Sequence, residues 1–351
     1  MTSAQTTHII GLGSIGSFVA HSLRSLPNPP SVTLLVHRSN LYEELASKGW
    51  KLGLRLGENG DLQEEGEFDA EMLGESSDSH PIYNLIVAVK ASATVSALEP
   101  IRHRLGSHST ICLFQNGLGQ VEDLNKRMFP DISTRPTYIF GIMRHGVYLR
   151  SSTEVVLASS NGCAAVGIVR NEEFSSRPSQ PQFLLDVLLK SPVLRCEKME
   201  WPHLLREQLL KLAANCVLNP LTALLDVRNG DIKDNRDLWP LHCRLLKEIS
   251  MVYGKLPELQ NLPRDLAHFS VELLENVLLD TINKTARNSS SMREDIRKGR
   301  ETEIEYINGW IVRRGRELGI DCVANESITQ LVLAKSHQDG RDKNFQIWKA
   351  K

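Results

Sequence analysis

HIIGLGSIGSFVAHSLRSL, residues 8–26, is the stretch that decides the fold. A short β-branched run leads into Gly11, Gly13 and Gly16, and the helical pattern SFVAHSLRSL follows. The spacing predicts strand, glycine turn and helix, the setting in which G-x-G-x-x-G means dinucleotide binding. Gly11 permits the tight turn, Gly13 lets backbone approach a pyrophosphate, and Gly16 lets helix and strand pack closely. Leu12, Ser14 and Ile15 complete a turn whose helix N-terminus offers free N–H groups and partial positive charge to phosphate. A plain glycine turn is the alternative, and the strand and helix on either side disfavour it.

The next apolar strand, residues 32–36, ends at His37, Arg38 and Ser39. NAD-type sites carry an acidic residue about 20 positions beyond the glycines, for the ribose 2′-hydroxyl. No Asp or Glu occurs between Gly16 and Glu43, and Arg38 stands in its place. A guanidinium suits a 2′-phosphate, so NADP(H) is expected over NAD(H). Residues 44–81 read as a helix, irregular strands and a surface loop. IYNLIVAVK, residues 82–90, reads as a continuous strand ending in Lys90, followed by a helix over 91–105. STICLFQNGLG reads as a strand ending near Asn116. Alternating strands and helices indicate a parallel doubly wound sheet, with ligands beyond the carboxyl ends of its strands. Lys90 and Asn116 fall on that edge. Residues 137–194 suggest antiparallel strands flanking the sheet, a loop at SRPSQP and a helix at FLLDVLLK.

Beyond a boundary expected near 195–201, nearly everything reads as helix. The fold class is α/β, with a dinucleotide-binding domain over 1–198 and an all-α domain over 199–351. LLKLAANCVLNPLTALL, residues 209–225, opens the second domain. Its polar residues Lys211, Asn215, Asn219 and Thr222 lie at offsets of four, eight and eleven, one stripe of a helix. A helix apolar on its other sides is buried, and a buried ammonium is costly unless something polar faces it. The stripe therefore reads as the lining of a cleft, with Lys211 as first catalytic candidate. A lysine near a helix end with its head in water is the alternative. Pro220 predicts a kink, leaving backbone carbonyls open to that cleft. Farther on, Ser291 and Glu294 have capping-box spacing, which alone accounts for Ser291. Glu303 precedes an amphipathic pattern and reads either as a catalytic carboxylate or as a first-turn acid. Gly299 suggests a break.

In 351 residues, 41 Lys plus Arg balance 42 Asp plus Glu, giving net charge −1. That balance offers no general attraction for nucleic acid or an anionic membrane. The six Cys show no metal-type spacing, and a reducing compartment fits them. No signal-type or targeting leader and no uninterrupted apolar run of about 20 residues is evident, so a cytoplasmic location is expected.

Five signatures in order, GLGSIG, Val89–Lys90, QNGLG at 115–119, KLAANCVLNPLTALLDVRNG at 211–230 and NSSSMREDIRKGRETEIEY at 288–306, resemble the ketopantoate reductases. The resemblance implies a Rossmann domain followed by a helical domain and NADPH-dependent reduction of 2-dehydropantoate to (R)-pantoate, on the route to pantothenate and coenzyme A. Lys211 matches the catalytic lysine and Glu303 its assisting carboxylate. Asn215, Asn219, Asn229, Asn288 and Ser291 align with positions that shape or bind the ketopantoate site. Arg38, Lys90 and Asn116 align with cofactor-side positions. The implied partner is a small 2-oxo acid, with no metal, and a homodimer is a candidate assembly. A reductase of another 2-oxo acid is the nearest rival, a metal-dependent reductoisomerase is disfavoured, and a non-catalytic NADP(H) sensor is the rival of another class. The 53–81 stretch looks enlarged against shorter members, and a polar tail, 337–351, is expected after the last helix.

Overall fold

The computed structural model describes residues 5–74, 78–158, 161–169 and 182–349; the loop expected at 176–181 lies outside them. Two compact units divide the chain: Met1–Gln115 with Gln120–Leu204, and Asn116–Gly119 with Leu205–Lys351.

In chain order the first unit contains β1 (Thr6–Ile10), α1 (Ser14–Arg24), β2 (Ser31–Val36), α2 (Ser39–Ser47), β3 (Leu52–Leu56), β4 (Leu62–Glu65), β5 (Asp69–Met72) and β6 (Asn84–Val87). Then come α3 (Thr94–Leu98), β7 (Thr110–Leu113), α4 (Gln120–Arg127), β8 (Thr137–Met143), β9 (Val147–Leu149), β10 (Glu154–Leu157), β11 (Ala164–Ile168), α5 (Gln182–Lys190) and β12 (Cys196–Lys198). The main sheet has the order β12-β11-β8-β7-β6-β1-β2-β5. From β8 through β5 neighbours pair in parallel. Its central strands are buried on both faces, as apolar runs such as Ile9–Ile10 and Leu34–Val36 require, while the edge strands β5 and β12 are partly exposed.

Three details differ from the sequence reading. Residues 91–105 form a short α3 flanked by 3-10 turns, because Pro100 supplies no helical N–H and disfavours α geometry before it. β6 stops at Val87, three residues short of Lys90. β8 runs parallel to β7, since α4 provides the crossover that a parallel pair needs; among the described residues of this region only β9 against β10 and β11 against β8 are antiparallel.

The enlarged 53–81 stretch has a defined place. β3 and β4 form a hairpin in a second sheet, β4-β3-β10-β9, which packs on α1. His21 Nε2 lies 3.0 Å from the Gln63 carbonyl, and Arg24 Nε donates to the Gly66 carbonyl at 3.0 Å. The glycine-turn helix is thereby covered on both sides, and Phe18 through Leu23 are buried. β5 joins the main sheet, where buried Arg104 holds Glu71 at 2.6 Å and Asp78 at 3.1 Å. Breaking one partner of such a buried cluster is costly, so the insertion is anchored.

The second unit is built on α6 (Trp201–Leu225), whose first turn belongs to the first unit. It continues with α7 (Trp239–Tyr253), α8 (Arg264–Ala267), α9 (Val271–Lys284), α10 (Ser291–Arg297), α11 (Asn308–Glu317) and α12 (Val323–Lys349). By length and composition α6 could cross a bilayer, yet 67% of its apolar window is buried within the protein, the mark of a core helix. The polar tail does not follow the last helix: α12 runs on to Lys349.

α6 also passes through Pro220 and stays helical to Leu225. Proline has no N–H for the carbonyl four residues back, that of Cys216. Asn308 Nδ2 takes that place, donating to the Cys216 carbonyl at 2.8 Å. The freed carbonyl therefore serves internal packing and does not open onto a cleft.

Candidate functional site

The glycine turn sits at the carboxyl end of β1, where the chain order departs to β2 on one side and β6 on the other. Gly11 has φ +96°, and a Cβ there would lie 2.5 Å from the Val89 amide nitrogen. A Cβ on Gly16 would meet the Gly11 carbonyl at 2.0 Å. Both positions need glycine for the strand ends and α1 to close up. Gly13 is different: nothing lies within 4 Å of its would-be Cβ. The open space stands before the N-terminus of α1, whose first intrahelical bond is Ser17 N–H to the Gly13 carbonyl. The amides of Ser14, Ile15 and Gly16 precede it and have no helical acceptor. No acid occupies the first turn. This opening fits a pyrophosphate.

Arg38 lies just past β2, exposed, as the extended residue before α2. Partial desolvation of the neighbouring His37 imidazole, and after it the charge of Arg38, hold that imidazole below its usual pKa. Lys90 lies past β6 on the same edge. Gln115, which the sequence reading passed over, ties the two loops there: its Nε2 donates to the Val89 carbonyl at 2.8 Å and to Thr94 Oγ1 at 2.7 Å.

Asn116, expected on that sheet edge, belongs with the helical unit. Its Nδ2 donates to Glu303 Oε2 at 3.3 Å. Leu118 N–H donates to the Tyr306 carbonyl at 2.9 Å, and a Cβ on Gly117, at φ +80°, would lie 2.3 Å from that same oxygen. The QNGLG segment thus lies flush on the turn carrying Glu303. Glu303 itself is 5% exposed. It is therefore not solvated, although it does stand at a helix start: it precedes the 3-10 turn Ile304–Tyr306 that leads into α11.

Along α6 the stripe is progressively enclosed. Lys211 and Asn215 are half-buried, and Asn219 and Thr222 are buried. Asn229 N–H donates to the Asn288 carbonyl at 3.1 Å, and Asn229 Nδ2 to Thr285 Oγ1 at 3.0 Å. Asn229 Oδ1 is buried without a partner among the described residues. Asn288 and Ser291 are exposed. The cap of α10 is Ser290, whose hydroxyl accepts from Arg293 N–H at 3.1 Å. Capping therefore does not account for Ser291; the spacing pointed one residue too far along. Gly299 does end the helix. It has φ +62°, with Gly299 N–H bonded to the Ile296 carbonyl and Arg300 N–H to that of Asp295, the left-handed glycine close of a helix. Among the described residues no group of three His, Cys, Asp or Glu is placed to hold a metal ion.

The fold and its glycine turn define a Rossmann-type dinucleotide-binding protein with a helical second unit. The chain belongs to the ketopantoate reductase family. The profile described as ketopantoate reductase PanE/ApbA matches residues 7–171, and that of its C-terminal part matches 203–336. A probable 2-dehydropantoate 2-reductase of Schizosaccharomyces pombe is 29% identical over 94% of this chain and 96% of its own. A 2-dehydropantoate 2-reductase of Shigella flexneri is 30% identical over 72% and 74%. In fold the chain resembles a D-mandelate dehydrogenase solved with NADH and anilino(oxo)acetate, at TM-score 0.76 and 20% identity, covering 95% of this chain and 99% of that one. The family is one of oxidoreductases, and this chain is read as one.

Proposed function

We propose that the protein reduces 2-dehydropantoate to (R)-pantoate with NADPH, the step that feeds pantothenate and coenzyme A synthesis. The observation that carries this reading is the single α6 stripe of Lys211, Asn215 and Asn219, in a helical unit that also buries Glu303 against Asn116. The names of the relatives supply the substrate.

When bound, NADPH supplies the hydride that reaches the keto carbon. The open space before Gly13 and the α1 amides would receive its pyrophosphate, and Arg38 its 2′-phosphate. Lys90 is assigned to the same cofactor side. Negative charge develops on the keto oxygen, and Lys211 Nζ would stabilise it and deliver the proton. Glu303, held by Asn116, would tune and orient that ammonium. Asn215, Asn219, Asn229, Asn288 and Ser291 would fix the carboxylate and hydroxyl of the substrate. Six free cysteines suit a reducing cytoplasm.

The likeness to a D-mandelate dehydrogenase holding NADH favours one second reading, reduction of another 2-oxo acid with NADH. Oxidation of NADPH and NADH with 2-dehydropantoate, and with a panel of 2-oxo acids, separates the two. Failure of 2-dehydropantoate to accelerate NADPH oxidation ends the first reading.

A further inference from the structure

Resting on that function, we infer that the buried hydroxyl pair Thr222–Ser290 is a positioning device. It locks the N-terminus of α10, and with it Ser291, onto the helix that carries Lys211, Asn215 and Asn219.

The two hydroxyl oxygens are 2.7 Å apart, and both residues are buried. Thr222 Oγ1 has a single proton and two backbone acceptors in its own helix, the Leu218 carbonyl at 2.7 Å and the Asn219 carbonyl at 3.1 Å; with that proton given to either, its oxygen accepts from Ser290. Ser290 in turn accepts from Arg293 N–H at 3.1 Å. The result is a one-way chain from the first turn of α10 through two hydroxyls to the backbone of α6. Each bond in such a chain polarises the next, and low dielectric strengthens all of them. Removing the Thr222 hydroxyl leaves Ser290 with a buried proton and no acceptor, the costly case.

A second, outer tether runs beside it. Arg293 Nε donates to Asp226 Oδ1 at 2.8 Å and Nη2 to the Asp226 carbonyl at 2.9 Å. Its Nη1 reaches Ser289 Oγ at 3.3 Å. Asp226 follows the end of α6 with φ +53°, a conformation a non-glycine residue keeps only when its surroundings hold it. A third comes from Asn229 and Gly230, whose amides donate to the Asn288 and Ala286 carbonyls. All three act on the segment holding Asn288 and Ser291, none through either side chain. The pair therefore sets where the 2-oxo acid is gripped relative to the lysine stripe, without touching the reacting atoms.

The test uses the full-length enzyme with 2-dehydropantoate and NADPH. Thr222→Val, nearly isosteric, is expected to raise KM for the 2-oxo acid about tenfold or more while kcat and KM for NADPH stay within about threefold. Thr222→Ser, which keeps the hydroxyl, is expected to restore KM. Asp226→Asn, at an exposed position, takes the charge out of the outer tether while its acceptors stay, and should raise KM less with folding intact. Hydrogen exchange supplies a ligand-independent readout: in Thr222→Val the first turn of α10 should lose protection while α6 keeps it. Equal KM in Thr222→Val and wild type, with α10 protection unchanged, overturns the proposal. So does a loss of kcat with both KM values, together with general loss of protection, which marks structural damage. If wild-type enzyme reduces no 2-oxo acid, the proposed function falls, and exchange at α10 alone decides whether the lock exists.

Discussion

Asn308 donates a side-chain hydrogen bond to the Cys216 carbonyl, the one oxygen of α6 that Pro220 strips of its helical partner. Its second Nδ2 proton goes to Asn325 Oδ1 at 3.0 Å, and Asn325 Nδ2 to Glu248 Oε2 at 2.8 Å. Glu248 also accepts the Ala324 and Asn325 amides at the start of α12. One proline is thus linked through two buried amides and a carboxylate to three helices.

Asn308→Ala should destabilise the protein by about 2–3 kcal/mol, since a buried carbonyl and a buried amide both lose a partner. In a Pro220→Ala background residue 220 regains an N–H for Cys216, and the cost of Asn308→Ala should shrink by about 1 kcal/mol. Denaturant unfolding of the two single variants and the double variant measures that coupling. Strict additivity would mean that Asn308 is not the surrogate donor.

Lys211→Ala should lower kcat about 10²–10⁴-fold, the range for a positioned acid, while NADPH still binds. Glu303→Gln should lower kcat by about tenfold, because the partner of Asn116 is kept in shape but loses its charge. Steady-state turnover and NADPH fluorescence titration report these separately. Full turnover in Lys211→Ala would remove the lysine from the mechanism.

Arg38→Ala should raise KM for NADPH about 10–100-fold, the loss of one or two charge-assisted bonds to a phosphate. KM for NADH should move little, because NADH lacks that phosphate. An equal rise for both cofactors would place Arg38 elsewhere than at the 2′ position.

His21 is buried in α1, and that burial, partly offset by its bond to the Gln63 carbonyl, lowers its pKa below the ordinary histidine value of 6.5. The unfolded chain therefore binds a proton that the native state refuses. Stability is then full above the unfolded value and falls as pH drops through it toward the lower native value. Unfolding free energy should decline between about pH 7 and pH 5, less steeply in His21→Gln. His8, His145 and His242 are lowered by burial in the same sense, so the variant removes part of the slope only.

Much of this was legible in the linear chain because it depends on local spacing. Gly11, Gly13 and Gly16 obey the steric demands of one turn, and the offsets of Lys211, Asn215, Asn219 and Thr222 follow from helical period alone. Pro220 announces an orphaned carbonyl by its own chemistry. What spacing could not supply was the partner. Asn308 stands 92 residues from Cys216 and Ser290 stands 68 from Thr222, and nothing local distinguishes either from any other polar residue. Ser291 reads as the cap of α10 because Glu294 stands three residues on, whereas Ser290, buried against Thr222, caps the helix. Asn116 reads as a sheet-edge residue until Gly117 lets the chain lie against Tyr306.

The sequence by itself determined the dinucleotide turn, the helical second half and the lysine stripe, since each follows from the conformational preferences of neighbouring residues. Only the tertiary structure decided which polar group satisfies which. Burial makes an unpaired donor or acceptor costly wherever it lies, and the partner that relieves it comes from whatever packing brings near, however distant in the chain.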